Sequence, residues 1–142
     1  MERIKISLPE KFSFTTSIPV RITDINYGDH VGNDTILSLL HEARVQFLKS
    51  YEYKELEFEG VGMIMSDVGI EFKNELFYGD VVIASVAIAG FTKISFDLYY
   101  KLEKEQGGKR VLVATAKTGM VCYDYSNKKI VAIPEKAKSK LQ

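Results

Sequence analysis

The chain has 142 residues, 46% hydrophobic and 27% charged, with 19 basic against 19 acidic side chains and a formal net charge of zero. That length fits one domain, residues 1–142, with a sizeable core, and the balanced charge excludes the general basic footprint of a nucleic-acid binder. A single cysteine, Cys122, excludes an internal disulfide, no apolar run approaches the ~18 residues of a membrane span, and the mixed start Met1-Glu2-Arg3-Ile4-Lys5 lacks a signal-like apolar stretch, so a cytoplasmic protein with no nucleic-acid or membrane partner is expected.

Phe12 to Thr23 alternates loosely between apolar and polar residues. Phe12, Phe14, Val20 and Ile22 share parity and Pro19 interrupts, which predicts an edge or bulged strand. Asp24 to Gly32 is a polar loop, and Asn33 or Asp34 suits a helix N-cap. From Asp34 to Ser50 the rhythm of Ile36, Leu39, Leu40, Ala43 and Phe47 places one apolar face on a helix. Leu37 and Leu48 widen that stripe, Arg44 sits at its margin, and Ser38, Glu42 and Val45 lie mostly opposite. The pattern ends near Tyr51.

Everything after Gly62 reads as strands. Met63 to Lys73 is the first, followed by the loop Asn74 to Asp80 with its Gly79-Asp80 turn. Val81 to Phe91 and Ile94 to Glu103 follow, then a hairpin turn at Gln106-Gly107-Gly108-Lys109. Lys101, Lys104, Lys109 and Arg110 flank that turn and read as a solvated hairpin end. Arg110 to Tyr125 is a long strand holding Cys122, whose alternating surroundings predict a buried structural thiol. A turn at Ser126 to Lys129, a short strand ending at Pro134 and a charged, frayed helical tail from Glu135 to Gln142 complete the chain. One helix followed by consecutive strands is α+β, a sheet of five or six antiparallel strands wrapped around one long helix. Such a sheet covers the helix on one side only, so a homo-oligomer, dimer or tetramer, is expected.

The loop carries the chemistry. It gathers Asp24, Asn26, Asp29, His30 and Asn33 where a helix begins, and N–H groups at a helix start lack intrahelical partners. Polar side chains beside free amides can hold a developing negative charge. Histidine changes protonation near neutral pH, which makes His30 the most versatile base, although a loop histidine also fixes its neighbours by hydrogen bonds. Asp24 reads mainly as a brace of the loop, and Asp29, another candidate base, as a solvent-exposed turn residue after Gly28. Glu42, off the apolar stripe, is either a second candidate base or a plain surface glutamate. No metal-ligand spacing, P-loop or dinucleotide fingerprint occurs, so no metal and no cofactor are expected.

Val20-Arg21-x-x-Asp24-x-Asn26-x-x-Asp29-His30-Val31-Gly32-Asn33, with Glu42-Ala43-Arg44 on the helix, resembles the motif of 4-hydroxybenzoyl-CoA thioesterase-like acyl-CoA thioesterases: Val-Arg-x-x-Asp-x-Asp-x-x-Gly-His-Val-Asn-Asn, then Glu-Ala-Arg. Tyr78-Gly79-Asp80 and Ala114-x-Ala116-x-Thr118-Gly119 resemble the family's later segments, so the likeness covers nearly the whole chain. It implies the hotdog fold, hydrolysis of acyl-CoA or acyl carrier protein thioesters, and no cofactor. Three positions depart from the motif: Asn26 stands where the second Asp acts as nucleophile or base, Asp29 replaces the Gly before His, and Gly32 the first Asn after Val. An amide takes no proton. The carried-over site is therefore Asn26 orienting water or thioester, His30 or Glu42 as base, the Asn33 amide as oxyanion donor and Asp24 as brace. A non-catalytic acyl-thioester-binding domain and an enoyl-thioester hydratase are the alternatives.

Overall fold

The computed structural model describes residues 1–142. In chain order it contains β1 (Phe14–Pro19), a short 3-10 turn at Ile22–Asp24, α1 (Asn33–Ser50), β2 (Gly62–Phe72), β3 (Val81–Ala89), β4 (Ser95–Gln106), β5 (Lys109–Asp124), β6 (Lys129–Ile130) and α2 (Glu135–Leu141). The strands form one six-stranded sheet in the order β1-β3-β4-β5-β2, with β6 added beside β5. All pairings are antiparallel. The α+β architecture expected from the sequence is therefore present, and β1 and β2 are its two edges.

β1 is shorter than the alternation predicts. Pro19 is its last paired residue, opposite Val81, because proline has no N–H to continue the ladder. The chain then leaves the sheet, and Val20 N–H bonds the Asp80 carbonyl at 2.9 Å.

α1 starts one residue earlier than expected and is capped by Gly32, which offers no side-chain cap. Its periodic face is buried as predicted, through Ile36, Leu39, Leu40, Ala43, Phe47 and Leu48. Phe47 meets Phe14 of β1 edge-on, ring centroids 5.9 Å apart. Two residues behave differently. Leu37 lies on the outer face at 37% exposure, since its angular position falls beyond the sheet's reach. Arg44, expected at the margin, is buried, because a chain of polar partners receives it inside the core.

The C-terminal tail is docked rather than frayed. Ala137 and Leu141, four residues apart on α2, are buried, and Lys140 donates to the Tyr51 carbonyl at 2.8 Å. No helix is long and apolar enough to cross a membrane. Cys122 is fully buried, and burial pushes its thiol up to about 11. Only the thiolate reacts with thiol reagents. Native protein at pH 8 is therefore expected to leave Cys122 unlabelled, with stoichiometric labelling in denaturant; rapid labelling of the native protein would contradict this burial.

Candidate active site

The polar loop is held by its own backbone. Ile25 and Val31 pair across its base. Asn26 N–H bonds the His30 carbonyl at 3.0 Å, and Asp29 N–H bonds the Asn26 carbonyl at 3.2 Å. Asp29 takes φ 64° to close the turn, a conformation aspartate enters more readily than most residues. Asp24 lies behind the loop at 7% exposure. Its Oδ2 accepts the Arg21 N–H at 2.8 Å, and its Oδ1 faces the Arg21 guanidinium at 3.4 Å. Asp24 is thus in contact with Arg21, the arrangement a brace requires.

Asn26 has a determined orientation. Its Oδ1 accepts the Gly28 N–H at 2.8 Å, which only an oxygen can do. The Nδ2 amide group is left pointing away toward Gly32, where a Cβ would lie 3.2 Å from it. His30 is oriented in the same way. Its Nδ1 lies 3.1 Å from the Val31 carbonyl, and a carbonyl only accepts, so in the neutral ring Nδ1 carries the hydrogen. Nε2 faces the Glu75 carboxylate at 3.9 Å.

The loop between β2 and β3 forms the opposite wall. Val31 N–H bonds the Leu76 carbonyl at 2.9 Å, and Leu76 is buried. Lys104, expected at a solvated hairpin end, instead turns inward and is buried. Its Nζ donates to the Glu75 carbonyl at 2.7 Å and to Asp80 Oδ2 at 3.1 Å, and it lies 5.1 Å from the Phe77 ring centre. A buried ammonium needs such partners, and here they fasten the wall that carries Glu75.

His30, Asn33, Ile36, Phe72 and Glu75 line a cavity of about 230 Å³ at the start of α1. Thr35 and Ile36 N–H groups bond back to the Gly32 carbonyl at 3.1 and 3.2 Å. The earlier amides, Asn33 and Asp34, have no intrahelical acceptor. The positive end of the helix dipole adds to their pull on an anion.

His30 and Asn33 thus share this cavity, while Asn26 lies in the same loop beside Gly28 and Gly32. Glu42 is elsewhere: its carboxylate accepts from Gln46 at 2.7 Å, and it lines a separate groove of about 310 Å³ with Ser17, Pro19, Asp24 and Ser38. The sequence reading missed Glu75, forty-five positions from His30 and joined to it only by the β2–β3 loop. It also missed the carboxylate of Asp34, which lies beside Gly32.

A larger cleft of about 750 Å³ lies beside the second half of α1, lined by His41, Val45, Glu55, Leu56, Met63 and Tyr125. Glu55 Oε1 lies 3.0 Å from His41 Nε2 and 3.3 Å from Arg44 Nε. Arg44 Nη1 lies 3.3 Å from the Tyr100 hydroxyl, which sits 2.7 Å from Thr118 Oγ1. Volume favours this cleft, but of its three glutamates Glu55 is already engaged by Arg44 and His41, and the helix end there carries the negative pole of the dipole. The positive pole of the helix lies at the opposite end, beside the smaller cavity.

Known proteins share this architecture. The family model described as thioesterase-like superfamily matches residues 20–141. A 1,4-dihydroxy-2-naphthoyl-CoA thioesterase from Synechocystis superposes with a TM-score of 0.79 at 20% identity, covering 90% of this chain and 94% of the other. An aspartate-to-asparagine mutant of a 4-hydroxybenzoyl-CoA thioesterase, complexed with 4-hydroxybenzoyl-CoA, superposes at 0.83 and 16% identity over 91% and 98% of the two chains. A hypothetical protein from Aquifex aeolicus superposes at 0.81 and 24% identity over 91% and 99%. At these identities the structural likeness carries the fold, which is the hotdog fold. With the sequence match spanning residues 20–141, the chain belongs to the thioesterase-like superfamily.

Proposed function

We propose that this protein hydrolyses acyl-CoA thioesters to a carboxylic acid and free CoA. Superfamily membership supports thioester hydrolysis in general. The observation that carries the finer reading is the meeting of the His30 imidazole and the start of α1 at Asn33 on one small cavity, with the Asn26 amide in the same loop beside Gly32. The thioester carbonyl oxygen accepts from Asn33 N–H, and loss of one such donor typically costs ~10²–10³ in rate. The free Asn26 Nδ2 group holds the water or the thioester oxygen in line. His30, when its ring is protonated, carries a second hydrogen on Nε2 beside Glu75 and delivers it to the departing sulfur.

A cavity of about 230 Å³ is smaller than the ~300–1,000 Å³ usual for ligand sites, so an acyl-CoA needs additional walls. β2 is an unpaired edge strand that exposes Met65, Val68 and Phe72, and Phe72 also lines the cavity. Free apolar edges invite pairing. A homodimer through β2 covers this edge and extends the site, with the pantetheine arm lying along the interface. A cytoplasmic location is part of the same reading.

The test is a panel of acyl-CoAs with release of thiol followed chromogenically. Saturable turnover of at least one member is expected. Binding without turnover would instead favour the non-catalytic reading, which the amide at position 26 also supports. Hydration of crotonyl-CoA would favour the hydratase, although His30 follows Asp24 by six positions rather than the five of that motif and Pro is absent.

A further inference from the structure

Hydrolysis at this loop needs a base, and the amide of Asn26 cannot act as one. Asp24 is committed to Arg21, Glu75 stands 3.9 Å from His30 Nε2 across the cavity, and Glu42 and Glu55 face other grooves. Asp34 is different. It is exposed in the first turn of α1, and its place is explained by the residue two positions before it.

Gly32 is buried, with φ −73° and ψ 161°. That is extended backbone, open to any residue, so conformational freedom does not account for a glycine here. Space does. A Cβ at position 32 would lie 2.6 Å from Asp34 Oδ1 and 3.2 Å from Asn26 Nδ2. The bare Cα lets the Asp34 carboxylate and the Asn26 amide close over the same spot beside the first free amides of the helix. Any side chain at 32 displaces the carboxylate. Two of the three departures from the acyl-CoA thioesterase motif, at positions 26 and 32, thus meet in space: one loses a carboxylate and the other makes room for one.

We infer that Asp34 is the general base of the proposed thioester hydrolysis, with Gly32 as the residue that admits it to the site. The inference rests on the acyl-CoA reading above. Asp34 accepts a proton from water as the water oxygen bonds to the carbonyl carbon, and the carbonyl π pair moves onto oxygen beside Asn33 N–H. Collapse re-forms the C=O bond and breaks the C–S bond. The sulfur leaves as thiol with the proton from His30, and Asp34 returns its own proton to solvent while His30 regains one.

The test uses the full chain and the best substrate of the panel. Asp34→Asn is expected to lower kcat by at least about a hundredfold with little change in KM, within the range for acid–base groups. It should also flatten the acidic limb of the kcat–pH profile while leaving the circular dichroism and melting curve unchanged. Gly32→Ala should lower kcat by about tenfold by pushing the same carboxylate aside, a partial loss on the same acid–base scale. Glu10→Gln removes an exposed carboxylate outside the loop and serves as the control with wild-type kinetics. If the wild type turns over and Asp34→Asn keeps more than half its kcat with an unchanged pH profile, Asp34 is not the base and acyl-CoA hydrolysis stands. If the wild type turns over no acyl-CoA, the reading beneath the inference fails and the inference with it.

Discussion

His30→Ala is expected to lower kcat/KM for the best acyl-CoA by about a hundredfold or more, the usual contribution of a positioned proton carrier. The fold should survive, because the side chain is bound only through Nδ1 to the neighbouring Val31 carbonyl. The loop keeps its backbone bonds between Asn26 and His30 and between Val31 and Leu76, neither of which uses the imidazole. The loss should fall mainly on kcat, since the ring acts on the leaving sulfur rather than on binding. Glu75→Gln should give a smaller effect, as it faces Nε2 at 3.9 Å and not at hydrogen-bond distance. Steady-state kinetics beside a melting curve checks both. Unchanged kcat/KM in His30→Ala would place the proton chemistry somewhere else.

Arg44→Met is expected to destabilise the protein by about 3 kcal/mol, the lower end for removing one partner of a buried ion pair. The side chain of Arg44 is 7% exposed and that of Glu55 24%, so Glu55 keeps some water and His41 when the guanidinium is gone. Tyr100 keeps Thr118 but loses the cation beside it. Burial raises the Tyr100 phenol above its ordinary value, and the Arg44 charge works against that rise. Denaturant unfolding should show a lower midpoint with an unchanged slope. The double variant Arg44→Met with Glu55→Leu should recover much of the loss, because neither charge is then stranded. A loss below about 0.5 kcal/mol, the range of ordinary surface substitutions, would mean that the network carries no weight.

Local pattern made much of this molecule legible. The helical rhythm from Ile36 to Phe47 identified both α1 and its buried face, because 3.6-residue spacing is dictated by the helix itself. The alternation in Val81–Ala89 and the turn at Gly107-Gly108 located strands and a hairpin for the same kind of reason. The polar loop stood out by composition, and His30 and Asn33 meet at one cavity. What stayed hidden depends on contacts between distant positions. Glu75 reaches His30 only through the β2–β3 loop, and Lys104 turns inward only because the Glu75 carbonyl and Asp80 await it. Arg44 is buried because Glu55 and Tyr100 meet it there. Glu42 resembled a motif residue, yet its helix face turns it into a different groove. The signal for Asp34 was present as Gly32, but a glycine in extended backbone reveals its purpose only when the neighbouring side chains are placed.

The most direct measurement is a crystal structure with a non-hydrolysable acyl-CoA analogue. The carbonyl oxygen should lie within hydrogen-bond distance, about 2.7–3.1 Å, of Asn33 N. Asn26 Nδ2 should face the thioester oxygen or a water beside the carbonyl carbon, and the sulfur position should be within reach of His30 Nε2. An analogue seated with its carbonyl in the larger cleft beside His41 and Met63, away from the start of α1, would contradict the assignment of the thioester chemistry to this loop.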